Sequence, residues 1–317
     1  MLLLQFMRIE VLEKLPRLNT NIAIRAHAGS FLSGNRDLQE LQSRTVSNME
    51  YDSIKDRIGR WLDSRPRILP ILFALLDLFF LRTWYVHRAL RKINLQSGSK
   101  ILDAGTGFGQ YAWHVARTYP GVYVTATDIK EDYLERARKS FDAYDLLDRI
   151  HLIVDDLTDP NVTELFDCIL AIDVLEHIEE DDVAIQHFAR RMRDGGALII
   201  STPSDQGGSD VRDQDQTSFI SEHVRDGYNL DELIQKLINA GLEIVEAKYS
   251  YGIFGAIAWR LLIKYPMLLL DRSLFLAPLV VLYYIPVLPL GLLMNLADLS
   301  RTNDRGTGLI IVARRNA

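Results

Sequence analysis

The sequence predicts an α/β fold, with a mostly parallel sheet of seven strands and helices on both of its faces. From residue 100 onward, short runs of β-branched and aliphatic residues alternate with helical patterns, which is typical of βαβ units. Three closely spaced glycines follow the first of these runs and predict a sharp turn from a strand into a helix. The two observations place a ligand-binding turn at the start of a parallel sheet.

The composition is that of an ordinary globular protein. Of the 317 residues, 48% are hydrophobic and 25% are charged, and the formal net charge is -6. Because there is no basic surplus, we expect no nucleic-acid partner. The single cysteine, Cys168, excludes an intramolecular disulfide and a cysteine-based metal cluster, and it fits the reducing cytosol. No basic residue precedes the apolar start, so we expect a cytoplasmic protein without a secretory signal.

Two segments precede the predicted sheet. Residues 1–48 show no sustained periodicity and are expected to form a poorly ordered arm. Residues 49–98 are expected to form a helical cap. Within the cap, the apolar run at 68–81 is too short, at about 14 residues, to cross a bilayer. The prediction there is a buried or interfacial helix.

Seven runs after residue 100 predict the strands. They lie at residues 100–104, 122–128, 150–154, 168–172, 197–202, 242–249 and 309–313. Between them, a helical stripe at 111–116 ends at Pro120 and Gly121, and another at 230–238 is closed by Gly241. The expected sheet domain comprises residues 99–250 and 308–317.

The glycine turn after the first strand has the spacing G-x-G-x-G. Gly105, Gly107 and Gly109 follow Asp103, whereas a dinucleotide fingerprint needs a further small residue where Gln110 stands. This spacing disfavours NAD. S-adenosylmethionine has no pyrophosphate to rest on the helix, but it carries an ammonium group that an acid such as Asp103 can balance.

The turn resembles the first motif of the class I S-adenosylmethionine-dependent methyltransferases, and further family features follow through residues 100–314. The resemblance implies a Rossmann-like fold and S-adenosylmethionine as the cofactor. It assigns Asp128, at the end of the second strand, to the ribose hydroxyls, with Ile129 beside it in the cofactor site. It assigns an acid after the third strand to the adenine amino group, where Asp155 and the neighbouring Asp156 are the candidates. Solvated or helix-capping carboxylates remain the alternative for these acids.

The fourth predicted strand runs into Asp-Val-Leu-Glu-His at 173–177, which is similar to the fourth-strand motif of the family and adds Asp173 to the cofactor site. Because methyl transfer needs mainly positioning and a base, His177 is the first candidate for a general base. His223, on a long polar loop at 204–228 that also carries Arg225 and Tyr228, is the second. A pocket or capping histidine, and a solvated loop, are the respective alternatives.

Asp173, Glu176 and His177 also resemble the E-x-x-E-H cluster that can hold a metal in ubiquinone-pathway O-methyltransferases. Here the first acid is aspartate, and three ligands over five residues are a weak signal. We therefore expect no metal site.

An apolar insertion at residues 251–307 separates the sixth and seventh predicted strands. Its segment 273–297 carries no charge and is long enough to cross a bilayer, but a single crossing would separate the seventh strand from its sheet. Pro278, Pro286 and Pro289 are expected to break any helix there. The prediction is an interfacial or re-entrant hairpin, with flanking arginines and lysines suited to anionic head groups. A hydrophobic lid or a dimer interface is the alternative.

The predicted function is that of an S-adenosylmethionine-dependent methyltransferase with a lipid-like or membrane-associated small-molecule acceptor. The expected location is peripheral or monotopic, on the inner face of a membrane. Two alternatives from other classes remain: a catalytically idle adaptor that keeps the cofactor pocket, and an NAD-dependent oxidoreductase.

Overall fold

The computed structural model describes residues 66–207 and 224–316. The expected N-terminal arm, the first part of the helical cap and much of the polar loop, including His223, lie outside these residues. Seven strands form one sheet in the order β3-β2-β1-β4-β5-β7-β6. The strands are β1 Lys100–Ala104, β2 Tyr123–Asp128, β3 Ile150–Val154, β4 Phe166–Ile172, β5 Met192–Pro203, β6 Leu242–Ser250 and β7 Gly308–Arg315.

All strand pairs are parallel except those of β7, which runs antiparallel between β5 and β6. The predicted seven-stranded, mostly parallel sheet is therefore confirmed. The main difference is that β5 begins at Met192, five residues before the predicted start.

Nine α-helices surround the sheet or project from it in the described residues. They are α1 Leu69–Phe79, α2 Leu81–Lys92, α3 Gln110–Thr118, α4 Glu131–Asp142, α5 Asp181–Arg191, α6 Leu230–Asn239, α7 Ile253–Trp259, α8 Tyr265–Arg272 and α9 Ala277–Ser300. The helix α6 shows how local sequence sets these bounds. The Asn229 side chain accepts hydrogen bonds from the first-turn N–H groups of Asp231 and Glu232, and Gly241 follows the helix with φ +84°.

The core lies on both faces of the sheet. Alternate strand residues enter opposite clusters, so that Ile101 packs with α1 to α4 while Leu102 packs with α5 and α6. Both are buried, as expected for a central parallel strand covered on both faces. The confirmed two-sided covering explains why the strand runs are continuously apolar.

The apolar run at 68–81 forms the helix α1, and a sharp bend separates it from α2. The axes of α1 and α2 differ by 93°, and the break falls at Phe80, whose backbone is extended. The indole Nε1–H of Trp84 donates to the carbonyl of Asp77 at 2.8 Å, and the Thr83 hydroxyl donates to the carbonyl of Phe80 at 2.6 Å. These bonds occupy carbonyls that the end of α1 leaves without helical partners.

The apolar insertion forms a helical hairpin. Two stretches, Ile253–Leu270 and Ala277–Ser300, are long and apolar enough to cross a membrane, and α1 with α2 would count as a third if that bent pair were one span. The prediction that prolines break the second stretch is wrong, since α9 runs through Pro286 and Pro289. Pro278 lies in its first turn, where a missing N–H costs nothing. Each inner proline removes one helical hydrogen bond, and packing against the other leg keeps α9 continuous.

The first leg of the hairpin contains a wide π-type turn at Arg260–Lys264, followed by Pro266. The Tyr265 N–H bonds back to the Arg260 carbonyl, and Pro266 has no N–H, so the carbonyls of Leu261 and Leu262 lose their ordinary helical donors. The hydroxyls of Tyr283 and Tyr284 on α9 donate to these two carbonyls, at 2.9 and 2.6 Å. The two legs are therefore joined where the first leg is irregular.

Candidate active site

The site is formed at the carboxyl edge, the edge of the sheet where β1 to β5 end. The strand order reverses between β1 and β4, so the loops after these two strands diverge and leave a crevice. The two loops touch where they leave the sheet, since a Cβ built on Gly105 would lie 2.4 Å from Cγ2 of Val174. This crevice is where a ligand is expected in an open α/β sheet.

The three glycines of the turn are needed for different reasons. All have positive φ angles, which other residues adopt only at a cost. Added Cβ atoms at Gly105 and Gly109 would collide with Val174 and Phe141, whereas a Cβ at Gly107 would meet no protein atom within 4 Å. Gly107 therefore borders open space, as a backbone that approaches a ligand must.

Asp103 is buried beneath this turn. Its Oδ2 atom accepts hydrogen bonds from the Thr106 hydroxyl at 2.5 Å and from the Ala112 N–H at 3.0 Å, so it ties the turn to the first turn of α3. Burial raises the pKa of Asp103 to about 6, although both hydrogen bonds oppose the shift. Burial thus disfavours the ionised form of this carboxylate, and a nearby cation would stabilise it.

Asp128 is oriented by backbone groups at the end of β2. Its Oδ2 accepts from the Gly107 N–H at 2.8 Å and its Oδ1 from the Lys130 N–H at 2.9 Å. The residue is only partly buried, and each carboxylate oxygen has a further lone pair for a hydroxyl group. Ile129 beside it is 65% exposed, which leaves an apolar surface at the same edge.

The two acids after β3 have different surroundings. Asp155 is buried, its N–H donates to the Asp128 carbonyl at 3.1 Å, and its Oδ1 accepts from the Asn161 N–H at 2.7 Å. Asp156 is exposed, and its Oδ1 accepts from both the N–H and the hydroxyl of Thr158. These bonds lower the pKa of Asp156 and make it a turn-forming residue. Asp155 is thus linked to Asp128, whereas Asp156 has a local structural role.

Asp173 ends β4 with a strained backbone and a charged partner. Its φ is +50°, uncommon for a residue other than glycine, and its carboxylate is paired with the guanidinium of Arg82 from α2. The Arg82 guanidinium also interacts with Tyr111 at the start of α3. Arg82 therefore connects the end of β4 to the helix that follows the glycine turn.

Glu176 and His177 form a short 3-10 turn directly after β4. Glu176 is buried, its carboxylate accepts from the Thr202 hydroxyl at 3.0 Å, and burial raises its pKa. His177 is half-buried at the carboxyl edge. Asp173 is paired with Arg82, and the charge of Arg82 also interacts with the Glu176 carboxylate.

Comparisons with known proteins agree with this geometry. A family model described as a methyltransferase domain matches residues 102–198, which include the glycine turn, Asp128 and the end of β4. The mitochondrial ubiquinone biosynthesis O-methyltransferase of Schizosaccharomyces pombe is 27% identical over 170 residues, which are 53% of this chain and 59% of the relative. The chain contains a class I methyltransferase domain. The predictions of this family and of S-adenosylmethionine as the cofactor are confirmed.

Solved structures show the same fold. Phosphoethanolamine N-methyltransferase 2 of Haemonchus contortus, in complex with S-adenosyl-L-methionine, aligns with a TM-score of 0.53 at 20% identity, over 74% of this chain and 53% of that one. The [4+2]-cyclase SpnF aligns with a TM-score of 0.53 at 18% identity, over 82% and 97%. At these identities the likeness establishes the fold alone. The chain also spans less than two thirds of the length of the first curated relatives it matches.

The carboxyl edge of the methyltransferase domain fits S-adenosylmethionine by three observations. Open space lies at Gly107, an oriented carboxylate with spare lone pairs lies at Asp128, and a buried acid lies at Asp103. The structure links the predicted cofactor residues from Asp103 through the glycine turn to Asp128 and Asp155. Their assignment to particular atoms of the cofactor stays a prediction.

Sequence reasoning missed Arg82 and the anchoring contacts of two residues of the polar loop. Arg82 was visible only as a charge beside an apolar run, and its partner Asp173 is distant in sequence. Arg225 bonds to Asp181 at 2.6 Å and to the Ile178 carbonyl at 2.7 Å, and the Tyr228 hydroxyl also donates to Asp181. Both residues therefore anchor the end of the loop to the domain.

Proposed function

We propose that this chain transfers a methyl group from S-adenosylmethionine to a lipid-like acceptor at a membrane surface. The observation that carries the proposal is a physical link between the site and the apolar hairpin. Arg82 and Tyr85 lie one helical turn apart on α2. Arg82 pairs with Asp173 at the carboxyl edge, and the Tyr85 hydroxyl donates to Asp298 near the end of α9 at 2.8 Å.

The base of the hairpin is a buried polar junction. The fully buried Asp298 carboxylate accepts from the Tyr85 hydroxyl, from the Gly255 N–H at 2.9 Å and from the Asn303 amide at 3.2 Å. The Tyr251 hydroxyl, just before α7, accepts from the Arg82 N–H at 3.0 Å. A buried carboxylate with three donors fixes the hairpin relative to the site. An acceptor held along the hairpin would therefore arrive beside the glycine turn.

The tip of the hairpin is an apolar surface with an unusual degree of exposure. Large aliphatic and aromatic side chains face outward along α8 and α9, with Phe275 at 87% and Leu282 at 62% exposure. A contiguous exposed apolar surface of this kind marks an interaction with protein or lipid. Lipid is favoured because the exposed side chains lie on both legs and around the tip.

The charges on the first leg indicate how deep the hairpin enters. Arg260 and Lys264 are costly at the centre of a bilayer but favourable at head groups. Beyond Lys264, the six uncharged residues of α8 rise about 9 Å before Asp271 and Arg272 end the helix, which fits a shallow entry into one hydrocarbon leaflet of roughly 15 Å. Tyr283 and Tyr284 bond to the leg at the level of these charges, where aromatic residues with polar groups are common. The proposed attachment is monotopic, on the cytoplasmic face.

When bound, S-adenosylmethionine supplies an activated methyl group. The acceptor atom attacks the methyl carbon in line with the breaking carbon–sulfur bond, and any proton on that atom must go to a base. His177, at the carboxyl edge, is the proposed base. His223 stays a second candidate and lies outside the described residues. Arg82 would orient an acidic or hydroxylated group at the crevice.

The test of activity uses the purified protein with methyl-labelled S-adenosylmethionine and a total lipid extract. We expect label in the lipid fraction and formation of S-adenosylhomocysteine. Measurable cofactor binding with no labelled product from lipid or aqueous extracts would overturn the proposal in favour of the idle adaptor. Label found only in water-soluble small molecules would keep the methyltransferase and reject the lipid acceptor.

The test of attachment is flotation with vesicles of phosphatidylcholine, with and without phosphatidylglycerol. Removing a large apolar side chain from lipid costs about 2 kcal/mol. The double variant with Phe275→Ser and Leu282→Ser should therefore bind vesicles at least tenfold more weakly. Val245, which is 53% exposed on β6, provides the matched control. Val245→Ser should float like the unaltered protein. Equal flotation of all three proteins would show that the hairpin tip does not enter lipid.

A further inference from the structure

A cluster of three metal-ligating side chains lies between the cap helices and α3. Asp77 on α1, His87 on α2 and His114 on α3 bring one ligand atom each to within 4.8 Å of one another. His87 Nε2 lies 3.9 Å from Asp77 Oδ1. The two imidazole rings are stacked, with centroids 3.5 Å apart and planes 9° from parallel. The cluster is separate from the Asp173, Glu176 and His177 motif of the sequence.

Hydrogen bonding leaves this cluster incomplete. His87 Nε2 is buried and has no hydrogen-bond partner among the described residues, a costly arrangement for a ring nitrogen. The Asp77 carboxylate is held in place from one side, because its Oδ1 accepts from the Gln110 amide at 2.7 Å. All three residues keep some solvent exposure, so an ion can enter.

The chemical types of the three side chains also suit a cation. The two imidazole rings bind a metal in their neutral form. The Asp77 carboxylate supplies a negative charge beside them.

We propose that Asp77, His87 and His114 bind one divalent transition-metal ion, with Zn²⁺ as the best match. Two imidazoles and one carboxylate suit Zn²⁺ and its first-row neighbours, whereas Mg²⁺ and Ca²⁺ prefer oxygen ligands. Tetrahedral ligands at about 2.1 Å from the metal lie about 3.4 Å apart, so the 3.9 Å separation of His87 and Asp77 must close by about 0.5 Å. The imidazole rings must tilt out of their parallel stack so that both lone pairs point to the ion. A water molecule would supply the fourth ligand.

The ion would connect the helical cap to the cofactor-binding helix. Its ligands come from α1, α2 and α3, and α3 begins directly after the glycine turn. Gln110, the first residue of α3, already bonds to one of the ligands. Metal binding should therefore stabilise the protein and hold the start of α3 against the cap. This inference does not depend on the identity of the acceptor.

The test uses chelator-treated, dialysed full-length protein. Titration with Zn²⁺ should give one equivalent bound and a higher Tm, and titration with Mg²⁺ should change neither. Co²⁺ as a probe should give the intense visible absorption of a tetrahedral site with nitrogen ligands. Binding to fewer than 0.1 equivalents, or a Co²⁺ spectrum of the hydrated ion only, would overturn the proposal.

Variants locate the ion. His87→Gln, His114→Gln and Asp77→Asn should each weaken Zn²⁺ binding at least tenfold, and His151→Gln, which changes an exposed histidine on β3, should bind as the unaltered protein does. Asp77→Asn keeps an oxygen for the Gln110 bond, so it stays informative if the histidine variants fail to fold. Unchanged Zn²⁺ affinity in Asp77→Asn and in a folded histidine variant would place the ion elsewhere and reject this site.

Discussion

The buried carboxylate of Asp103 gives a prediction about pH and stability. Its pKa is about 6 in the folded chain, against an ordinary value near 3.8, because burial penalises the charged form. The folded protein therefore holds this proton more tightly than the unfolded chain. The stabilisation that results is fully present below about pH 4 and is lost as the pH rises toward about pH 6. At neutral pH, Asp103 is therefore ionised in the cofactor-free protein although its buried surroundings disfavour the charge.

The size of the effect follows from the two pKa values. A rise from 3.8 to about 6 corresponds to about 3 kcal/mol, to order of magnitude. Asp103→Asn removes the charge and keeps an oxygen that can accept from the Ala112 N–H. We expect this variant to gain about 1–3 kcal/mol relative to the unaltered protein at pH 7, and little or nothing at pH 4. It should bind S-adenosylmethionine more weakly, since the ammonium group loses its counter-charge.

The assay is urea unfolding of both cofactor-free proteins at several pH values between 4 and 7.5. Subtracting one curve of unfolding free energy from the other cancels the carboxylates that both proteins share, including Asp181, whose partners lower its pKa. A variant advantage that grows through pH 4 to 6 supports the reasoning. A difference that is constant with pH, or one that favours the unaltered protein more as the pH rises, would refute it.

Three further predictions concern the turn, the ribose site and the hairpin. Gly107→Ala should cost about 1–2 kcal/mol of folding stability because of the positive φ, and it should weaken cofactor binding at least tenfold. Gly105→Ala should be less stable still, because its Cβ collides with the Val174 side chain. Thermal unfolding measures the stability of both variants, and calorimetry measures their cofactor affinity. Normal cofactor affinity in folded Gly107→Ala would contradict the inference that Gly107 borders the ligand. Asp128→Asn should weaken S-adenosylmethionine binding by about 1–3 kcal/mol and leave the circular dichroism spectrum unchanged. If isothermal titration gave the same Kd for the variant, Asp128 would not belong to the ribose site. Asp298→Ala should destabilise the protein by about 3 kcal/mol or more, because two buried donors and one partly buried donor lose their acceptor. Tyr284→Phe should cost about 1 kcal/mol. Equal Tm values for the two variants would argue against the junction at the base of the hairpin.

The sequence predicted the sheet well because its signals are local. A buried strand such as β4 is a continuous apolar run, and the glycine turn needs positive φ angles that only glycine adopts readily. Asp103 and Asp128 could be proposed as cofactor residues because each stands at the end of a predicted strand, where the family motifs have an acid. Their bonds to the Ala112 and Gly107 N–H groups follow from that position.

The features that sequence reasoning missed all depend on contacts between distant segments. Arg82 reaches Asp173 through the packing of α2 against the sheet, and no local pattern predicts that contact. The 93° bend at Phe80 brings Asp77 on α1 near His87 on α2, so the cluster has no recognisable ligand spacing along the chain. Two prolines within α9 signalled a break, but the packing of the hairpin legs outweighed the local preference.

The position of β7 fixes the order in which the sheet can be completed. The strand lies between β5 and β6, so β6 has no place in the sheet until residues 308–315 have left the ribosome. All of the apolar hairpin is synthesised before that moment. A nascent chain that has just finished α9 thus holds five paired strands, one unattached strand and a complete hairpin. The hairpin can therefore contact its surroundings before the sheet is complete. The sheet is completed afterwards, when β6 and β7, the two strands that the hairpin connects, join it.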